Sequence, residues 1–566
     1  MDVDRNSGKN KPRILIVGGV AGGASCATRA RRLSEKAEII IFERGPYVSF
    51  ANCGLPYYVG DLITDEENLI AVTPDFFRER FKIDVRTQSN VTAIDREKQE
   101  IQVEDLKTAA VYREKYDALV LAPGAAPIRP PLPGIDLPGI YSLRTIPDSR
   151  NIREWIITSK AKSAVIVGGG FVGLEMAENL AGRGISVTII EMQNHVMPAL
   201  DHEMVAPIHA HLKANGVSLH LEDAVTGFKQ NDGHSLTVST KSGKSLATDL
   251  VILAIGVRPE VTLAESAGLE TGERGGIRVN DRMKTGDDHI WAVGDAVEVR
   301  DFISGEWIVL PLAGPASRQG RTAASNILGR DFAFRGVQAT AICGIFGMTI
   351  ASTGLTENTL LRLNKAGRNI DYEKVYLYPD DHASYYPGAS QIAIKMIFST
   401  KDGRILGAQA VGREGADKRM DVFSMAIQNK ATVFDLEEAE LCYAPQYGTA
   451  KDPINVAGMI AANALRGDAP LAHWEDIENT KAFILDVRNR SEFISGHIDR
   501  ALNIPLNDLR TRLQELPAER EIWVYCASGQ RSYYATRILR LHQFNARNLG
   551  GIRTYKNMVD RIAIGV

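Results

Sequence analysis

The first 300 residues alternate between short, continuous apolar runs and amphipathic stretches. Arg13–Val17 is a continuous apolar run, residues 18–23 are rich in glycine, residues 24–33 have helical periodicity, and residues 38–43 form a second apolar run that ends in an acid. Short apolar runs joined by a glycine turn and an amphipathic segment are typical of parallel strands connected by a helix. The pattern predicts a strand–turn–helix–strand unit over residues 11–44.

The same pattern returns at residues 163–191. An apolar run at 164–167 is followed by a glycine turn at 168–173, a helical stretch to about Leu180, and a second run at 185–191 that also ends in an acid. Each unit is built like half of a dinucleotide-binding fold. Two units in one chain therefore predict two bound dinucleotides.

Three further apolar runs end in glycine. Residues 117–124 close the first unit, residues 249–256 close the second, and residues 289–295 end in a Gly-Asp pair. Strands that end in such turns place backbone and carboxylate groups at one edge of a parallel sheet. These turns are candidate parts of the two nucleotide sites.

The second half of the chain follows a different pattern. From about Gln338, alternating strands such as Gln391–Phe398 precede helical segments that run to about Leu465, which predicts an α+β domain. Residues 466–473 have the composition of a linker. The strands predicted at 482–486 and 522–526, with helical stretches between them, indicate a final α/β unit.

Composition excludes several classes of protein. The chain has 566 residues, enough for roughly four domains, and a formal net charge of −3 that gives no reason to bind nucleic acid or an acidic membrane. The apolar run Ile14–Val20 is too short for a signal-peptide core, and no run reaches the roughly 20 residues of a membrane helix. Five cysteines do not form a disulfide framework, so a cytoplasmic location is expected.

The glycine turns allow backbone amides to approach a pyrophosphate at a helix N-terminus. The second turn has the full Gly-x-Gly-x-x-Gly pattern, and an acid that could bind a ribose ends the next strand; the residues are Gly168, Gly170, Gly173 and Glu191. The first turn departs from the pattern, because Val20 occupies the middle position, and it retains Gly18, Gly22, Gly23 and the acid Glu43. Glycine turns also occur in α/β folds that bind no nucleotide.

Cys53 is followed by Gly-Leu-Pro-Tyr-Tyr, with no second thiol nearby. An internal disulfide at this place is excluded, so Cys53 would pair with a sulfur or oxygen atom from outside the chain. Pro56 predicts a helix that begins just after the cysteine, and a helix N-terminus lowers the pKa of a thiol. The alternative is a buried, inert cysteine. Cys26, Cys343 and Cys442 lack metal-ligand spacing and are interpreted as packing residues.

A second candidate thiol, Cys526, opens a loop that ends at Arg531. The loop lies between a predicted strand and a predicted helix, where a curl of backbone amides stabilises an anion such as a thiolate or a persulfide. Arg531 adds a fixed cation. The alternative is that this domain serves only as a scaffold, and the presence of Cys526 favours a reactive role.

The order of these motifs over about residues 11–465 resembles the pyridine-nucleotide–disulfide oxidoreductase family. The Ser-Phe-x-x-Cys pattern at Cys53 resembles its single-cysteine branch, which includes coenzyme A-disulfide reductases, NADH peroxidases and NADH oxidases. The oxidases and peroxidases typically carry a histidine in the first turn, and this chain has Ala21 there. Residues 474–566 resemble a rhodanese domain, through Asp486-Val-Arg, Glu492-Phe, Gly496-His-Ile and the loop at Cys526. The whole chain resembles coenzyme A-disulfide reductase–rhodanese fusions, which reduce persulfides with NADH.

This resemblance implies an α/β fold with two Rossmann-like dinucleotide-binding domains, an α+β dimerisation domain and a C-terminal α/β rhodanese domain. The expected boundaries are 1–149 and 279–337 for the FAD domain, 150–278 for the NAD(H) domain, 338–465 for dimerisation, 466–473 for the linker and 474–566 for the rhodanese domain. The implied dinucleotide contacts are those of the two turns and the closing strands: Gly18, Gly22, Gly23, Glu43, Arg44, Ala122, Gly124, Gly168, Gly170, Gly173, Glu191, Gly256, Gly294 and Asp295. Glu191 is followed by Met-Gln-Asn with no cation for a 2′-phosphate, which favours NADH over NADPH.

The resemblance also implies coenzyme A as a ligand and a homodimer. Tyr385 and Tyr443 match tyrosines that reach the cysteine from the partner subunit, where a phenol could protonate a leaving thiolate. The expected coenzyme A contacts are Ser25, Arg29, Arg32, Ser49, Asn52 and Lys451. From the sequence alone, Arg29 and Arg32 fit a solvated helix face equally well, and the tyrosines fit a plain subunit interface.

The implied reaction takes electrons from NADH through FAD to Cys53, whose thiolate attacks a persulfide, polysulfide or disulfide and releases sulfide or a thiol. Cys526 would supply sulfane sulfur to bound coenzyme A. The alternatives are a sulfurtransferase that works mainly at Cys526, an NADH oxidase or peroxidase, and a non-catalytic redox sensor. No metal, membrane or nucleic-acid partner is expected.

Overall fold

The computed structural model describes residues 11–559. The first ten residues of the predicted FAD domain and the last seven of the predicted rhodanese domain lie outside this range. Backbone contacts divide the chain into two compact units, Met1–Met192 with His220–Val337 and Gln193–Leu219 with Gln338–Val566. Each unit is described by itself.

The chain begins with alternating strands and helices. In chain order the elements to residue 190 are β1 (Arg13–Val17), α1 (Ala21–Leu33), β2 (Glu38–Glu43), α2 (Leu55–Val59), α3 (Pro74–Phe81), β3 (Asp84–Thr87), β4 (Ser89–Asp95), β5 (Glu100–Asp105), β6 (Val111–Lys115), β7 (Ala118–Leu121), β8 (Ala125–Pro127), β9 (Ile140–Ser142), α4 (Ile146–Ser159), β10 (Ser163–Val167), α5 (Phe171–Gly182) and β11 (Ser186–Ile190).

Shorter strands dominate the middle of the chain. The elements to residue 327 are α6 (Ala206–Ala214), β12 (Ser218–His220), β13 (Val225–Gln230), β14 (Leu236–Thr240), β15 (Ser245–Thr248), β16 (Leu250–Leu253), β17 (Val257–Pro259), α7 (Thr262–Ser266), β18 (Ile277–Arg278), β19 (Ile290–Ala292), β20 (Val297–Arg300), β21 (Trp307–Val309) and α8 (Ala313–Ile327).

The last part of the chain contains longer strands followed by helices. The elements to residue 559 are β22 (Ala341–Ile345), β23 (Met348–Gly354), α9 (Glu357–Lys365), β24 (Tyr372–Leu377), β25 (Ala393–Ser399), β26 (Ile405–Gly412), α10 (Ala416–Gln428), α11 (Val433–Glu437), α12 (Pro453–Leu465), β27 (Phe483–Asp486), α13 (Arg490–Ile494), β28 (Leu502–Asn503), β29 (Ile522–Cys526), α14 (Gln530–Leu541), β30 (Ala546–Gly551) and α15 (Ile552–Val559).

Two parallel sheets organise the first unit. One has the strand order β19-β7-β1-β2-β3, and in the other four parallel strands run in the order β11-β10-β16-β9. Ile14, Leu15 and Ile16 of β1 are fully buried, as expected for a strand that is covered on both faces. Antiparallel sheets β4-β5-β6 and β13-β14-β15 accompany the parallel ones.

Helix α1 begins at Ala21, three residues earlier than the sequence predicted. Gly22 and Gly23 therefore lie inside the helix, where glycine is normally unfavourable. Close contacts explain them: a Cβ atom at Gly320 of α8 would lie 2.2 Å from the carbonyl oxygen of Gly22, and a Cβ atom at Gly23 would lie 1.9 Å from the carbonyl oxygen of Gly18. Glycine on both helices lets α1 and α8 pack backbone against backbone.

The second unit contains a five-stranded antiparallel sheet, β22-β23-β26-β25-β24, with α9 to α12 completing an α+β arrangement. Lys395 of β25 is fully buried and is paired with Asp201, Glu203 and Glu357. This buried charge cluster ties β25 to the segment before α6 and to the first residue of α9.

The C-terminal part of the second unit is a small parallel sheet with the strand order β28-β27-β29-β30. The predicted linker is tied to it, because Asn548 of β30 donates to the carbonyl of Pro470 at 2.8 Å and its own carbonyl accepts from the Ala472 amide at 3.0 Å. The Tyr378 and Thr554 hydroxyls, 2.9 Å apart, join this sheet to the antiparallel one. Hydrogen bonds thus hold the small domain to its neighbour in the second unit.

Candidate active site

The first glycine turn has the close backbone approach that a dinucleotide site needs. Gly18 has a φ of +97°, and a Cβ atom there would lie 2.1 Å from the carbonyl oxygen of Ala122. A Cβ atom at Gly23 would lie 1.9 Å from the carbonyl oxygen of Gly18. Only glycine fits at either position, so the start of α1 lies directly at the carboxyl ends of β1 and β7.

Glu43 is fixed at this turn by the backbone. Its Oε2 accepts a hydrogen bond from the Gly19 amide at 2.9 Å, and its Oε1 accepts one from the Gly45 amide at 2.8 Å. Each oxygen keeps a free lone-pair direction for a ribose hydroxyl. Arg44, which follows it, is exposed. The first glycine turn and Glu43 therefore fit the adenosine half of a dinucleotide at this edge of the sheet.

The second turn repeats this geometry. A Cβ atom at Gly168 (φ +106°) would lie 2.4 Å from the Ala254 carbonyl oxygen, and one at Gly173 would lie 2.1 Å from the Gly168 carbonyl oxygen. Gly170 differs, because no atom lies within 4 Å of its Cβ position. That open space at the N-terminus of α5 fits a pyrophosphate. Glu191 accepts from the Gly169 amide at 2.7 Å, as Glu43 does from Gly19.

The three closing glycines, Gly124, Gly256 and Gly294, all have positive φ angles of +78°, +102° and +86°. The Gly294 amide donates to Oε1 of buried Gln319 at 2.7 Å, which fixes the turn before Asp295. Burial raises the pKa of Asp295, and Arg144 only partly opposes this shift. A half-buried carboxyl group with a free oxygen fits a hydroxyl-rich ligand such as the ribityl chain.

Cys53 lies in a short 3₁₀ turn, Asn52–Gly54, directly before α2, which carries Pro56 in its first turn as predicted. The thiol is exposed to solvent and has no disulfide partner. Its pKa is raised, first by desolvation and then by the carboxylates of Glu175 and Asp295. The prediction of a lowered pKa was therefore wrong, because a five-residue helix does not offset burial and two nearby acids.

Glu175 is a residue of this site that the sequence reasoning missed. It lies on α5 just after the second glycine turn, and it accepts a hydrogen bond of 3.5 Å from the Tyr57 hydroxyl. Burial raises the pKa of Glu175 to about 7, although the Tyr57 hydrogen bond opposes the shift. A signal was present in the sequence, because an acid interrupts the apolar stretch Phe171-Val-Gly-Leu. The second dinucleotide unit thus places a group that titrates near neutrality beside Cys53.

We expect Glu175→Gln to make Cys53 more reactive at neutral pH. Removal of the carboxylate lowers the pKa of Cys53, because one of the two charges that disfavour its thiolate is lost. The rate of alkylation by iodoacetamide at pH 7 should rise about three- to tenfold. Glu178→Gln is the matched control on the same helix and should leave this rate nearly unchanged. An identical pH profile in wild type and Glu175→Gln would contradict the expectation.

Four arginines gather on the outer face of α1 and α8. Partial burial and the charges of Arg321, Arg330 and Arg32 lower the pKa of Arg29. Among residues 11–559, no carboxylate lies within 4 Å of any of the four guanidinium groups. Unpaired, clustered arginines favour a polyanionic ligand over the solvated-face interpretation. The sequence predicted Arg29 and Arg32 and missed Arg321 of α8 and Arg330, which follows α8, because these two come almost 300 residues later.

Other predicted contact residues lie around the Cys53 turn. The Asn52 side-chain amide donates to the Arg144 carbonyl at 3.1 Å. Ser49 has a φ of +45°, an unusual conformation for a residue other than glycine, and its carbonyl accepts from the Ala71 and Val72 amides. Ser25 is half-buried on α1. The structure thus places Ser49 and Asn52 in the loop that carries the thiol.

In the second unit, Tyr385 and Tyr443 are brought together although 58 positions separate them. Their hydroxyls lie 3.2 Å apart, and the residues are 74% and 53% exposed. The hydrogen bond to Tyr443 raises the pKa of Tyr385. Lys451 is also exposed in this unit. Two large aromatic residues left open to solvent fit a surface that another molecule covers.

Cys526 ends β29 and begins the loop before α14. The residue is only 1% exposed, and its sulfur accepts a hydrogen bond of 3.1 Å from the Gly529 amide. The Ser532 hydroxyl lies 3.6 Å from the sulfur. Backbone amides at a helix N-terminus stabilise a negative charge on sulfur, as the loop pattern predicted. Arg531 is bound to Glu492 through both guanidinium nitrogens, at 2.7 and 2.8 Å.

The remaining cysteines differ from one another. Cys26 is buried, and desolvation raises its pKa to about 12, which makes it an inert packing residue as predicted. Cys343 is also buried. Cys442 is exposed next to Tyr443, so its interpretation as a packing residue was wrong.

The fold and the site define a dinucleotide-dependent oxidoreductase that carries a second thiol, in an amide-lined loop, on a small α/β domain. Three sequence models match the chain. The pyridine nucleotide-disulphide oxidoreductase family matches residues 12–320, its dimerisation domain matches residues 340–452, and a rhodanese-like domain matches residues 470–558. The chain belongs to the pyridine nucleotide-disulphide oxidoreductase family.

Similar proteins cover nearly the whole chain. The coenzyme A disulfide reductase of Staphylococcus aureus (strain Newman) is 36% identical over 448 residues, which are 79% of this chain and 99% of that protein. The crystal structure of reduced Bacillus anthracis CoADR-RHD has a TM-score of 0.94 at 45% identity and covers 97% of this chain and 99% of its own. The structure of an NAD-dependent persulfide reductase from A. fulgidus matches with a TM-score of 0.87 at 37% identity. The match covers 96% of this chain and 100% of that chain.

These matches confirm the family resemblance, the fold class and the enzyme class that the motifs predicted. Members of this family use FAD and a pyridine nucleotide, and the two glycine turns fit them. Within residues 11–559, none of the helices has the length and apolar character needed to cross a membrane.

Proposed function

We propose that this protein is an NADH-dependent flavoprotein that reduces persulfide, polysulfide or disulfide sulfur, including coenzyme A persulfide and coenzyme A disulfide, through Cys53. The observation that carries the proposal is an exposed thiol without an intramolecular partner, placed beside Asp295 of one dinucleotide unit and Glu175 of the other. Such a thiol can form a mixed disulfide only with an incoming molecule.

The residues of this chain supply most of the proposed reaction. The Cys53 thiolate attacks a sulfane or disulfide sulfur, forms a mixed disulfide with one half of the substrate, and releases the other half as sulfide or thiolate. Glu175 holds or gives a proton as its carboxyl titrates near pH 7. FAD, when bound, would supply two electrons from NADH, and these would split the mixed disulfide into the Cys53 thiolate and a second free thiolate. Tyr385 and Tyr443 are proposed to protonate the leaving sulfur from the partner subunit of a homodimer.

Several finer features belong to the same proposal. Glu191, with no cation in the three residues after it, supports NADH over NADPH. Five free cysteines support a cytoplasmic, reducing location. The matched dimerisation domain and the exposed tyrosines support a homodimer. The predicted domain boundaries stay predictions.

Anaerobic turnover tests the proposal. The enzyme should oxidise NADH only when a persulfide or coenzyme A disulfide is present. Each NADH should yield one sulfide from a persulfide or two thiols from the disulfide.

The variant Cys526→Ser should keep this NADH-dependent activity on small soluble persulfides. Loss of all turnover in Cys526→Ser would favour the second candidate, a sulfurtransferase centred on Cys526, which its amide-bound sulfur also supports. Rapid NADH oxidation in air without any thiol would instead indicate an oxidase.

Recognition of coenzyme A is tested at the arginine cluster of Arg29, Arg32, Arg321 and Arg330. We expect Arg321→Gln to raise KM for coenzyme A disulfide about three- to tenfold with little change in kcat, because an exposed arginine binds phosphate equally before and during reaction. A persulfide without phosphate groups should react normally. Lys36→Gln, an exposed cation whose charge is not among those acting on Arg29, is the control. An unchanged KM at low salt would count against the cluster as the phosphate site.

A further inference from the structure

The loop at Cys526 has no free cation of its own. The residues between Cys526 and Arg531 are Ala, Ser, Gly and Gln, all uncharged. Arg531 is the charged residue of the loop, and both of its terminal nitrogens are bound to Glu492. The charge of Arg531 is therefore balanced where an incoming sulfur donor would meet the thiol.

The pair of Arg531 and Glu492 is permanently ionised near neutral pH. The hydrogen bonds from Arg531 lower the pKa of Glu492 to about 2, and Glu492 in turn raises the pKa of Arg531, to which the charge of Cys526 also contributes. Parallel N–H···O bonds between a guanidinium and a carboxylate are among the strongest side-chain contacts. Arg531 thus lies near the sulfur, but Glu492 already neutralises its charge.

Glu492 is also fixed by the backbone. It is the third residue of the capping box of α13, and its Oε2 accepts from the Asn489 amide at 3.0 Å. The neighbouring Arg488 is neutralised in the same way, by buried Asp486 at 2.6 Å. Arg488 and Arg531 therefore each have a carboxylate partner.

We propose that Glu492 determines the donor specificity of Cys526: by holding and neutralising Arg531, it restricts the site to organic persulfides that carry little charge and disfavours doubly charged donors such as thiosulfate. This rests on the proposed function, in which Cys526 receives sulfane sulfur, and it names the class of donor. Backbone amides stabilise an anionic sulfur, and an unpaired cation nearby would add a Coulombic attraction that is larger for a doubly charged donor than for a singly charged one.

The two transfers are balanced as follows. With a persulfide, the Cys526 thiolate attacks the outer sulfur of R–S–SH, the S–S bond of the donor breaks, and RS⁻ leaves with the bonding pair. With thiosulfate, the thiolate attacks the sulfane sulfur and sulfite leaves with the bonding pair. The products are Cys526–S–SH and Cys526–S–S⁻ respectively, so neither transfer requires an oxidant or a reductant.

Single-turnover loading of the full-length protein tests the proposal. Cysteine persulfide or thiosulfate is mixed with the reduced holoenzyme without NADH, and sulfur on the peptide that contains Cys526 is followed by mass spectrometry. Wild type should load from cysteine persulfide at least about tenfold faster than from thiosulfate. Glu492→Gln should speed loading from thiosulfate about tenfold at low salt, with the gain reduced at high salt, and should change cysteine persulfide loading less than twofold.

Two further variants separate a charge effect from damage to the loop. Glutamine can still act at the third position of a capping box, so Glu492→Gln should keep α13. Glu492→Asp, which keeps the charge, should behave as wild type, and Glu492→Gln with Arg531→Gln should lose the thiosulfate gain. Equal loading of wild type from both donors, no gain in Glu492→Gln, or a gain that survives in the double variant would overturn the proposal. NADH turnover at Cys53 does not enter this assay, so its failure is distinguishable from failure of the proposed function.

Discussion

Cys53→Ser should lower NADH-dependent reduction of persulfides and coenzyme A disulfide by at least about 10³-fold. The hydroxyl of serine cannot form the mixed disulfide, and of the other cysteines Cys26, Cys343 and Cys526 are buried. The measurement is anaerobic NADH consumption together with the sulfide or thiol released. Loading of sulfur on Cys526 in the same variant should remain, because that loop lies in the separately organised second unit.

Cys442→Ser is the matched control, because Cys442 is the other exposed cysteine of the described chain. Its turnover should stay close to that of wild type. Mass spectrometry of wild type, quenched after reaction with coenzyme A disulfide in the absence of NADH, should show coenzyme A attached to Cys53. Substantial NADH-dependent turnover in Cys53→Ser would show that electrons leave through another group.

The local patterns of the chain predicted most of the nucleotide-binding framework. Strands β1 and β2 have the bounds predicted from their apolar runs, because a glycine turn ends the first run and an acid ends the second. The start of α1 was predicted three residues late. Its glycines look like loop residues in a sequence, and only the packing of α8 against Gly22 and of Gly23 against the Gly18 carbonyl explains their place in a helix.

The candidate site was predictable where its chemistry is local. Cys53 and Cys526 each lie in a short motif that is recognisable in the sequence, and their roles stay predictions. Glu175 and Arg321 were not, since each acts on a residue that is far away in the sequence. The direction of the pKa shift at Cys53 was wrong for the same reason, because helix position is local whereas the opposing carboxylates come from other elements.

The second large effect is expected at the buried charge cluster of the second unit, for Lys395→Met. Burial alone would lower the pKa of Lys395, but the carboxylates of Glu203, Asp201 and Glu357 outweigh it and raise the pKa. Replacing the ammonium leaves these acids buried without their shared cation. The free energy of unfolding should fall by about 3–5 kcal/mol at pH 7, the usual cost of removing one partner of a buried ion pair. Urea unfolding followed by tryptophan fluorescence measures it.

The pH dependence of the unfolding free energy distinguishes the effect of the lost charge at Lys395 from the effect of lost packing. In wild type, Lys395 and Lys374 overcome burial and lower the pKa of Glu357 to about 2, so its contribution is present above its ordinary pKa of 4.5 and is lost as the pH falls from there towards 2. Without Lys395, burial instead favours protonated carboxyls, so the variant recovers stability as the pH falls from 7 to 5.

The difference in unfolding free energy between wild type and Lys395→Met should therefore be smaller at pH 5 than at pH 7. Adding Glu357→Gln to the variant should restore part of the lost unfolding free energy at pH 7. Lys401→Met, at an exposed turn, should leave stability nearly unchanged. A gap that is constant from pH 7 to 5 would mean that the lost side-chain volume, and not the unpaired charge, causes the instability.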